Sequence, residues 1–460
     1  MLKSASKLRN ACSMMKFATN FYTSKSFLSS RKLGIPINPD PGFPYNPPVG
    51  PYDEGISKDP SIQPSFEFEV DPKALLDSVI RQQIYQQKVE EPFYVADLGD
   101  VVRKHHQWTT LLPRVKPFYA VKCNSDPFVL KTLASLGTGF DCASTEEIKT
   151  ILGLGVDPEN IIFANPCKAV SNIRYARDHY VNMMTADNAD ELRKIHEINP
   201  HADVVIRIYA DDSKAVCRLG KKFGIPIDLV PELVQEAEEI GVNIAGISFH
   251  VGSGCTDATA YSDALLLARR AFNDIEAAGY SPTLLDIGGG FPGYEQPGLV
   301  KFEEIASLIR PTLDELFPRH VKVIAEPGRY YVASAFSLSV NVTSKKEIKK
   351  PNAEKMCMYY VNDGVYGSFN NIMFDHAVLP NPHIYRKETS GENEEKTFEC
   401  SIWGPTCDSM DCLTSKMQLP ELNIGDWLSF ENMGAYTFAA ASTFNGFAKA
   451  RLIYVNSELE

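Results

Sequence analysis

Pro117-Phe118-Tyr119-Ala120-Val121-Lys122-Cys123-Asn124 is a short apolar run that closes on a lysine. Phe118, Tyr119 and Val121 suit a buried strand, because aromatic and β-branched side chains pack well on a pleated surface. A strand ending on Lys is unusual, since an ammonium is rarely buried without cause. One cause is chemical: a desolvated lysine gives up its proton more easily and can form a Schiff base with an aldehyde. The plain alternative is a strand that simply reaches water at Lys122. The residues around it decide between the two.

Outward from this run the chain alternates short apolar stretches with amphipathic ones. After Pro92–Leu98, itself strand-like, come Pro117–Cys123, Gly139–Ser144, Ile161–Pro166, Val181–Asp187, Ala202–Tyr209, Ile244–Val251, Leu284–Phe291 and Val321–Pro327. Helical patterns separate them at Pro127–Leu136, Thr145–Leu154, Asp190–Ile198, Pro231–Ile240, Ala258–Ala278 and Phe302–Leu316. Asn188 before Glu191 and Ser144 before Glu147 have the form of helix N-caps. Leaving out the first run, eight strand-plus-helix units predict an α/β fold, a (β/α)8 TIM-type barrel over residues 92–332. An open doubly wound sheet is the alternative. Beyond Tyr331 the rhythm changes to short alternating runs, Phe336–Val342, Met356–Val361, Thr397–Trp403 and Ala448–Val455. Loops at Thr343–Lys355 and Arg386–Lys396 are expected between them. These runs predict an all-β domain over residues 333–460. Residues 65–91, with a strand at Phe66–Val70, are expected to form its first part.

The chain has 460 residues, 44% of them hydrophobic, which predicts two soluble domains. A net charge of −12 argues against nucleic acid as a partner. No apolar stretch is long enough to span a bilayer, and no metal site is expected. Ten scattered cysteines without a C-x-x-C pair predict a reducing compartment, with Cys142 and Cys167 as core thiols. Residues 1–39 carry seven Lys or Arg and no acid. That composition fits either a mitochondrial transit peptide or a basic tail on a cytoplasmic protein, the latter being the expectation. Nine prolines between Ile35 and Pro64 predict an extended linker, so residues 1–64 form an extension outside the folded domains.

The polar residues fall in a pattern. In a (β/α)8 barrel the C-terminal ends of the strands build the site. Lys122, Asp141, Arg207, His250, Gly288-Gly289-Gly290 and Glu326-Pro327-Gly328-Arg329 all stand at or near such ends. Glycine runs let backbone N–H groups approach a phosphate, and Ser253 between two glycines and Arg329 after Gly328 add to that cradle. A lysine for an aldehyde beside a phosphate cradle suggests pyridoxal 5'-phosphate. Its ring nitrogen calls for a carboxylate or an arginine, and Glu326 is the candidate, since a carboxylate keeps the pyridinium charged. His250 has the shape to pack flat on the ring, or else is a hydrogen-bonded core histidine.

With these residues in place, the chain resembles the eukaryotic-type ornithine decarboxylases, pyridoxal-phosphate decarboxylases with an alanine-racemase-like barrel. The resemblance runs from about Phe66 to the C-terminus. It is carried by Pro117–Asn124, Gly137–Ser144, Asp211–Arg218, Ser248–Cys255, Leu284–Gly293, Glu326–Tyr330, Val361–Asn370, Trp403–Asp408 and Met433–Phe447. It implies that Lys122 bears the cofactor, Glu326 holds the ring nitrogen and His250 stacks. Ser253, Gly289, Gly290, Gly328, Arg329 and Tyr436 would hold the phosphate end, with Asp141, Glu147 and Arg207 ordering the surroundings. Cys407 would return a proton after CO2 leaves. Asp375 and Asp408 would bind the distal ammonium of L-ornithine, giving putrescine as the entry to polyamines. The resemblance places Cys407 and Asp408 in the site of a partner copy, and so implies a homodimer with shared sites. It also implies antizyme as a partner through Val170–Arg193, where Arg174, Arg177 and Arg193 offer a basic face. Competing expectations are a decarboxylase of lysine or arginine, and a non-catalytic protein like the antizyme inhibitors. A distal carboxylate, as in diaminopimelate, would be repelled by Asp375 and Asp408. For a racemase, no second base stands out.

Overall fold

Eight of the apolar runs close on themselves. The computed structural model describes residues 71–296, 300–349, 355–386 and 396–458. The basic and Pro-rich extension and the run Phe66–Val70 lie outside the described residues. In chain order the first strands are β1 (Phe93–Asp97), β2 (Val115–Ala120), β3 (Gly139–Cys142), β4 (Ile161–Phe163), β5 (Met183–Ala186), β6 (Asp203–Arg207) and β7 (Ala215–Cys217). They are followed by β8 (Asn243–Ser248), β9 (Ser253–Cys255), β10 (Leu284–Asp286) and β11 (Lys322–Ala325). The closed barrel runs β2-β3-β4-β5-β6-β8-β10-β11 and back to β2. Short β7 and β9 pair with each other beside it.

Strand periodicity determines what enters the barrel. Phe118, Ile162, Val205, Leu284 and Ile324 form an interior layer. A Cβ on Gly139 would lie 2.6 Å from the Phe118 ring, and one on Gly246 would lie 1.8 Å from the Leu284 carbonyl. Side chains alternate faces with period two. Asp141 therefore follows Gly139 into the barrel, as Arg207 follows Val205, Asp286 follows Leu284 and Glu326 follows Ile324. Tyr119, Phe140, Ile206 and Leu285 point the other way, into the main core. The helices behave as their caps predict: Ser144 and Asn188 accept the N–H groups of Glu147 and Glu191. Helices at Leu98–Leu111 and Val170–Asp178 complete the outer ring.

The second sheet contains β1, β12 (Phe336–Lys349), β13 (Lys355–Val361), β14 (His383–Tyr385), β15 (Thr397–Trp403), β16 (Cys412–Pro420), β17 (Trp427–Phe430) and β18 (Arg451–Val455). Three expectations need correction. Starting the barrel at residue 92 placed β1 in it, yet β1 pairs with β12 and β18 in the sheet domain. The reason is that both faces of β1 are apolar and both find cover. Phe93 and Val95 pack with Ile80, Ile84 and Trp427, while Tyr94 and Ala96 enter the main core. The expected loop at Thr343–Lys355 is strand as far as Lys349, paired with β13 past a register shift between Val342 and Ser344. Its Lys and Glu side chains hid the strand pattern because this end of the hairpin projects beyond the core. Within the segment expected to begin the β domain, Pro72–Arg81 is a helix capped by Asp71 and packed on that sheet.

Among the described residues all nine cysteines are free; Cys142 is buried but Cys167 is exposed. Cys167 lies in the turn after β4, where its N–H donates to Asn165 rather than its thiol entering the core. No helix among the described residues is long and apolar enough to cross a membrane.

Candidate active site

Lys122 sits in a single tight turn, Val121–Cys123, at the end of β2. Its Nζ donates to Asp141 Oδ2 on neighbouring β3. The lysine side chain is 46% accessible, yet it is enclosed among protein atoms and lines a recess, whereas the Asp141 side chain is fully buried. Burial alone would lower the lysine pKa, but Asp141 and then Glu326 outweigh it and hold the pKa above its ordinary value. This corrects the expectation of an easily deprotonated lysine: desolvation is present, but two acids oppose it. Glu147 Oε2 accepts the Ala143 N–H at 2.6 Å, and burial raises its pKa.

Across the mouth, Asp286 and Glu326 come from adjacent strands. Asp286 Oδ1 accepts the Gly288 N–H at 2.9 Å. Asp286 Oδ2 is buried without a partner, and it can hydrogen-bond the facing Glu326 carboxyl only when one of the two acids carries a proton and donates it. Burial is the main cause that pushes the Asp286 carboxyl up to about 7. Glu326 rises well above the carboxylate range, through burial first and Asp286 second. His250 stands between these acids and Arg207. Its Nδ1 accepts the Gly252 N–H at 3.0 Å, which fits a neutral ring protonated on Nε2. Burial, then Arg207 and Lys122, holds its pKa well below the ordinary value. Arg207 lies 5.4 Å over the Phe223 ring.

The glycines here are packed closely against neighbouring chain atoms. A Cβ on Gly289 would lie 2.7 Å from the Glu326 carbonyl and 3.0 Å from His250 Nε2. Gly290 has φ +102°, and a Cβ there would lie 2.5 Å from the Gly252 carbonyl. A Cβ on Gly328 would lie 2.9 Å from Cys123 Cβ. Arg329 donates to Ser253 Oγ at 2.9 Å and lies 5.1 Å over the Tyr436 ring. Tyr436 is anchored by its N–H to the Cys123 carbonyl, and burial raises its pKa. Arg329 also forms a two-pronged pair with Asp375 at 2.8 and 2.9 Å. The sequence had assigned these two residues to opposite ends of a ligand.

Pyridoxal phosphate fits this set. Asp141 Oδ1 and Asp286 Oδ2 are buried without a partner, and a protonated ring nitrogen would add a positive charge against the Asp286–Glu326 pair. Gly289 and Gly290 lie where a Cβ would clash with the Glu326 and Gly252 carbonyls, beside the loop that carries Ser253. Lys122, Asp141, Glu147, Arg207, His250, Ser253, Gly289, Gly290, Glu326, Gly328, Arg329, Tyr436 and Asp375 thus converge on one barrel mouth.

Cys407 and Asp408 do not join them. Among the described residues neither makes a hydrogen bond or ion pair with the Lys122 group. The Cys407 N–H donates to Asn445 Oδ1 at 3.0 Å, and the Tyr366 hydroxyl donates to Asp408 Oδ2. That bond lowers the Asp408 pKa. A cavity of about 400 Å³ beside Asp375 is lined by Val216, Cys217, Arg218, Lys221, Phe374 and His376. A cavity of about 910 Å³ lies instead on the sheet domain, against Tyr360, Thr406 and Phe447; the chemistry at Lys122 places the site at the barrel mouth regardless of cavity size. The basic face expected at residues 174, 177 and 193 is partly neutralised, since Arg177 pairs with Asp178 and Arg193 with Asp190 and Glu236.

Sequence reasoning missed Asp286, Tyr261 and Tyr366. Asp286 carried a readable signal, a carboxylate inside the apolar run Leu284–Ile287. Tyr261 donates to the Gly289 carbonyl from the helix Thr259–Ala277, and no local pattern marks it. Tyr366 is linked to Asp408 across 42 residues, beyond any sequence periodicity.

Residues 98–333 match the family model described as the pyridoxal binding domain of pyridoxal-dependent decarboxylases. The chain is 52% identical to ornithine decarboxylase of Rattus norvegicus over 84% of this chain and 85% of that protein. It is likewise 52% identical to antizyme inhibitor 2 of Xenopus laevis, over 83% of this chain and 84% of that protein. Among solved structures, the arginine decarboxylase of Paramecium bursaria Chlorella virus is 34% identical, with a TM-score of 0.77, covering 83% of this chain and all of that one.

Proposed function

Since this chain belongs to the pyridoxal-dependent decarboxylase family, we propose that it removes the carboxylate of L-ornithine as CO2 and releases putrescine, the entry step to polyamines. The observation that carries this reading is the Lys122–Asp141 pair, set at the barrel mouth with Glu326 and Arg329 intact around it. Bound pyridoxal phosphate supplies an aldehyde that condenses with an amine and a ring that accepts the electron pair released with CO2.

Lys122 Nζ is the amine suited to that aldehyde, and Asp141 Oδ2 holds its proton until it is needed. Glu326 offers its carboxylate to the ring nitrogen; a cation there favours the ionised form of the Asp286–Glu326 pair. Neutral His250, fixed through Nδ1, presents a flat face to the ring. Arg329, Ser253 and the backbone of Gly289 and Gly290 hold the phosphate. Asp375 and Asp408 offer carboxylates to the distal ammonium of the substrate, and an uncharged tail would forgo both charge-assisted hydrogen bonds. Cys407 Sγ donates a proton to the carbon that has lost CO2. Because Cys407 and Asp408 make no contact with the Lys122 group of their own chain, we assign them to the site of a second copy in a two-fold dimer.

The 52% identity to antizyme inhibitor 2 favours a second reading, a non-catalytic regulator. Against it stands the complete set of Lys122, Asp141, His250, Glu326, Arg329 and Cys407. Antizyme binding through Val170–Arg193 is also part of the proposal, supported by exposed Val170 and Tyr180; a pull-down in which antizyme leaves the dimer intact would count against it. The deciding experiment is CO2 release by the purified protein from ornithine, lysine, arginine and diaminopimelate, with and without pyridoxal phosphate. The expected result is cofactor-dependent release from ornithine that vanishes in Lys122→Ala. Release mainly from another amino acid overturns the substrate, and no release at all favours the regulator.

A further inference from the structure

Arg329 faces two anion sites with one guanidinium. Nη1 donates to Asp375 Oδ2 at 2.9 Å and Nη2 to Asp375 Oδ1 at 2.8 Å. The second N–H of Nη2 is then the one that reaches Ser253 Oγ at 2.9 Å. Both side chains are mostly buried, 20% and 10% accessible. Among the described residues, no other ion-pair partner stands beside either one. Cys217 Sγ, 3.6 Å from Asp375 Oδ1, brings no positive charge, and the Tyr436 ring lies against the guanidinium face. The acid and the Ser253 side of the pocket therefore draw on the same charge.

We propose that Asp375 and the cofactor's phosphate share the single guanidinium of Arg329, so that a cationic substrate tail arriving at Asp375 tightens the hold on the phosphate. This rests on the reading that the phosphate lies at Ser253 and Arg329 and the distal ammonium at Asp375. With Asp375 unopposed, Arg329 is largely neutralised, and the carboxylate repels a phosphate dianion across it in a water-poor recess. An ammonium at Asp375 cancels that charge and returns Arg329 to the phosphate. Coupling of this kind is reciprocal, so the phosphate must strengthen binding of the tail by the same factor. Asp375 thereby links the two ends of the site.

The test uses calorimetry on the full-length protein freed of cofactor, with pyridoxine 5'-phosphate and with pyridoxine. Neither carries an aldehyde, so Lys122 chemistry is absent from both. In the wild type, 1,4-diaminobutane should tighten pyridoxine 5'-phosphate about tenfold, within the usual range of coupling between sites, and leave pyridoxine unchanged. Asp375→Asn should bind pyridoxine 5'-phosphate more tightly than the wild type does, and lose the response to the diamine. Equal effects of diamine on both ligands, or weaker phosphate binding in Asp375→Asn, overturn the proposal. If that variant does not fold, which its pyridoxine affinity reports, the wild-type diamine response decides alone. Arg329→Gln and Ser253→Ala separate the two levels. If they narrow the gap between the ligands while Asp375→Asn and the diamine change nothing, the coupling fails alone. If neither narrows it, the phosphate does not lie there, and the reading of the site fails with the coupling.

Discussion

Lys122 Nζ and Asp141 Oδ2 form an ion pair across β2 and β3, and the other oxygen of Asp141 is buried without a partner. The pair sets the proton affinity of the lysine. Burial lowers it, and Asp141 is the larger of the acids that raise it. Asp141→Asn should therefore lower the Lys122 pKa. The measurable outcome is the pH at which Lys122 becomes reactive toward pyridoxal, read by borohydride trapping and mass spectrometry. The onset should move to lower pH in the variant; an unchanged onset would show that another group holds the proton.

Asp286 and Glu326 make a pH-dependent penalty of opposite origin. Burial raises both folded-state pKa values, Asp286 to about 7, and the Asp286 charge adds to the rise at Glu326. In the unfolded chain an aspartate titrates near 3.9. The folded state therefore binds the extra proton, and the cofactor-free protein should lose stability as pH rises from about 4 to about 7. Asp286→Asn removes most of this slope. Its melting temperature should exceed that of the wild type by a few degrees at pH 8 and converge with it toward pH 4. Parallel curves for the two proteins would remove Asp286 as the source.

The barrel and the core of this site could be read from period-two alternation, because a buried strand writes its facing into consecutive residues. Asp141, Arg207 and Glu326 each stand two places after an interior residue, and that spacing survives folding unchanged. What the sequence concealed depends on contacts made at a distance. A domain boundary at residue 92 put strand β1 with the barrel, although the count of eight units left it out; its pairing with β12 and β18 assigns it to the sheet domain. Charged side chains masked the far end of β12, where the hairpin leaves the core. The Arg329–Asp375 pair joins positions 46 residues apart, and the resemblance assigned its members to different ligand groups. Lys122 stands at the barrel mouth as expected, but its proton affinity is raised and not lowered, since the acids that raise it lie on other strands.

Gly289 is required by space rather than by backbone angle. A Cβ there meets the Glu326 carbonyl at 2.7 Å and His250 Nε2 at 3.0 Å. Gly289→Ala should push the glycine loop away from β11 and destabilise the protein by about 1–3 kcal/mol, the usual range for overpacking. It should weaken cofactor binding as well, because His250 must move. Thermal melts and cofactor absorbance titrations on the same variant test both effects. An alanine variant with normal melting and normal affinity would show that the loop has slack.

Cys407 and Asp408 make their contacts with Tyr366 and Asn445 on the sheet domain and none with Lys122 of the same chain. If they complete the site of a second copy, two different inactive chains can repair each other. Lys122→Ala lacks the lysine but carries a good Cys407. Cys407→Ala should retain Lys122 and lose about a hundredfold or more in turnover, the range for a missing proton donor. Random mixing makes half of all dimers hybrid, and each hybrid holds one site with both residues intact and one with neither. The mixture should recover about a quarter of wild-type CO2 release. Recovery that rises with time of subunit exchange would confirm shared sites. If the mixture stays as inactive as its parents while mass measurement shows hybrids present, Cys407 acts within its own chain, and a closure of the sheet domain onto the barrel would have to bring it there.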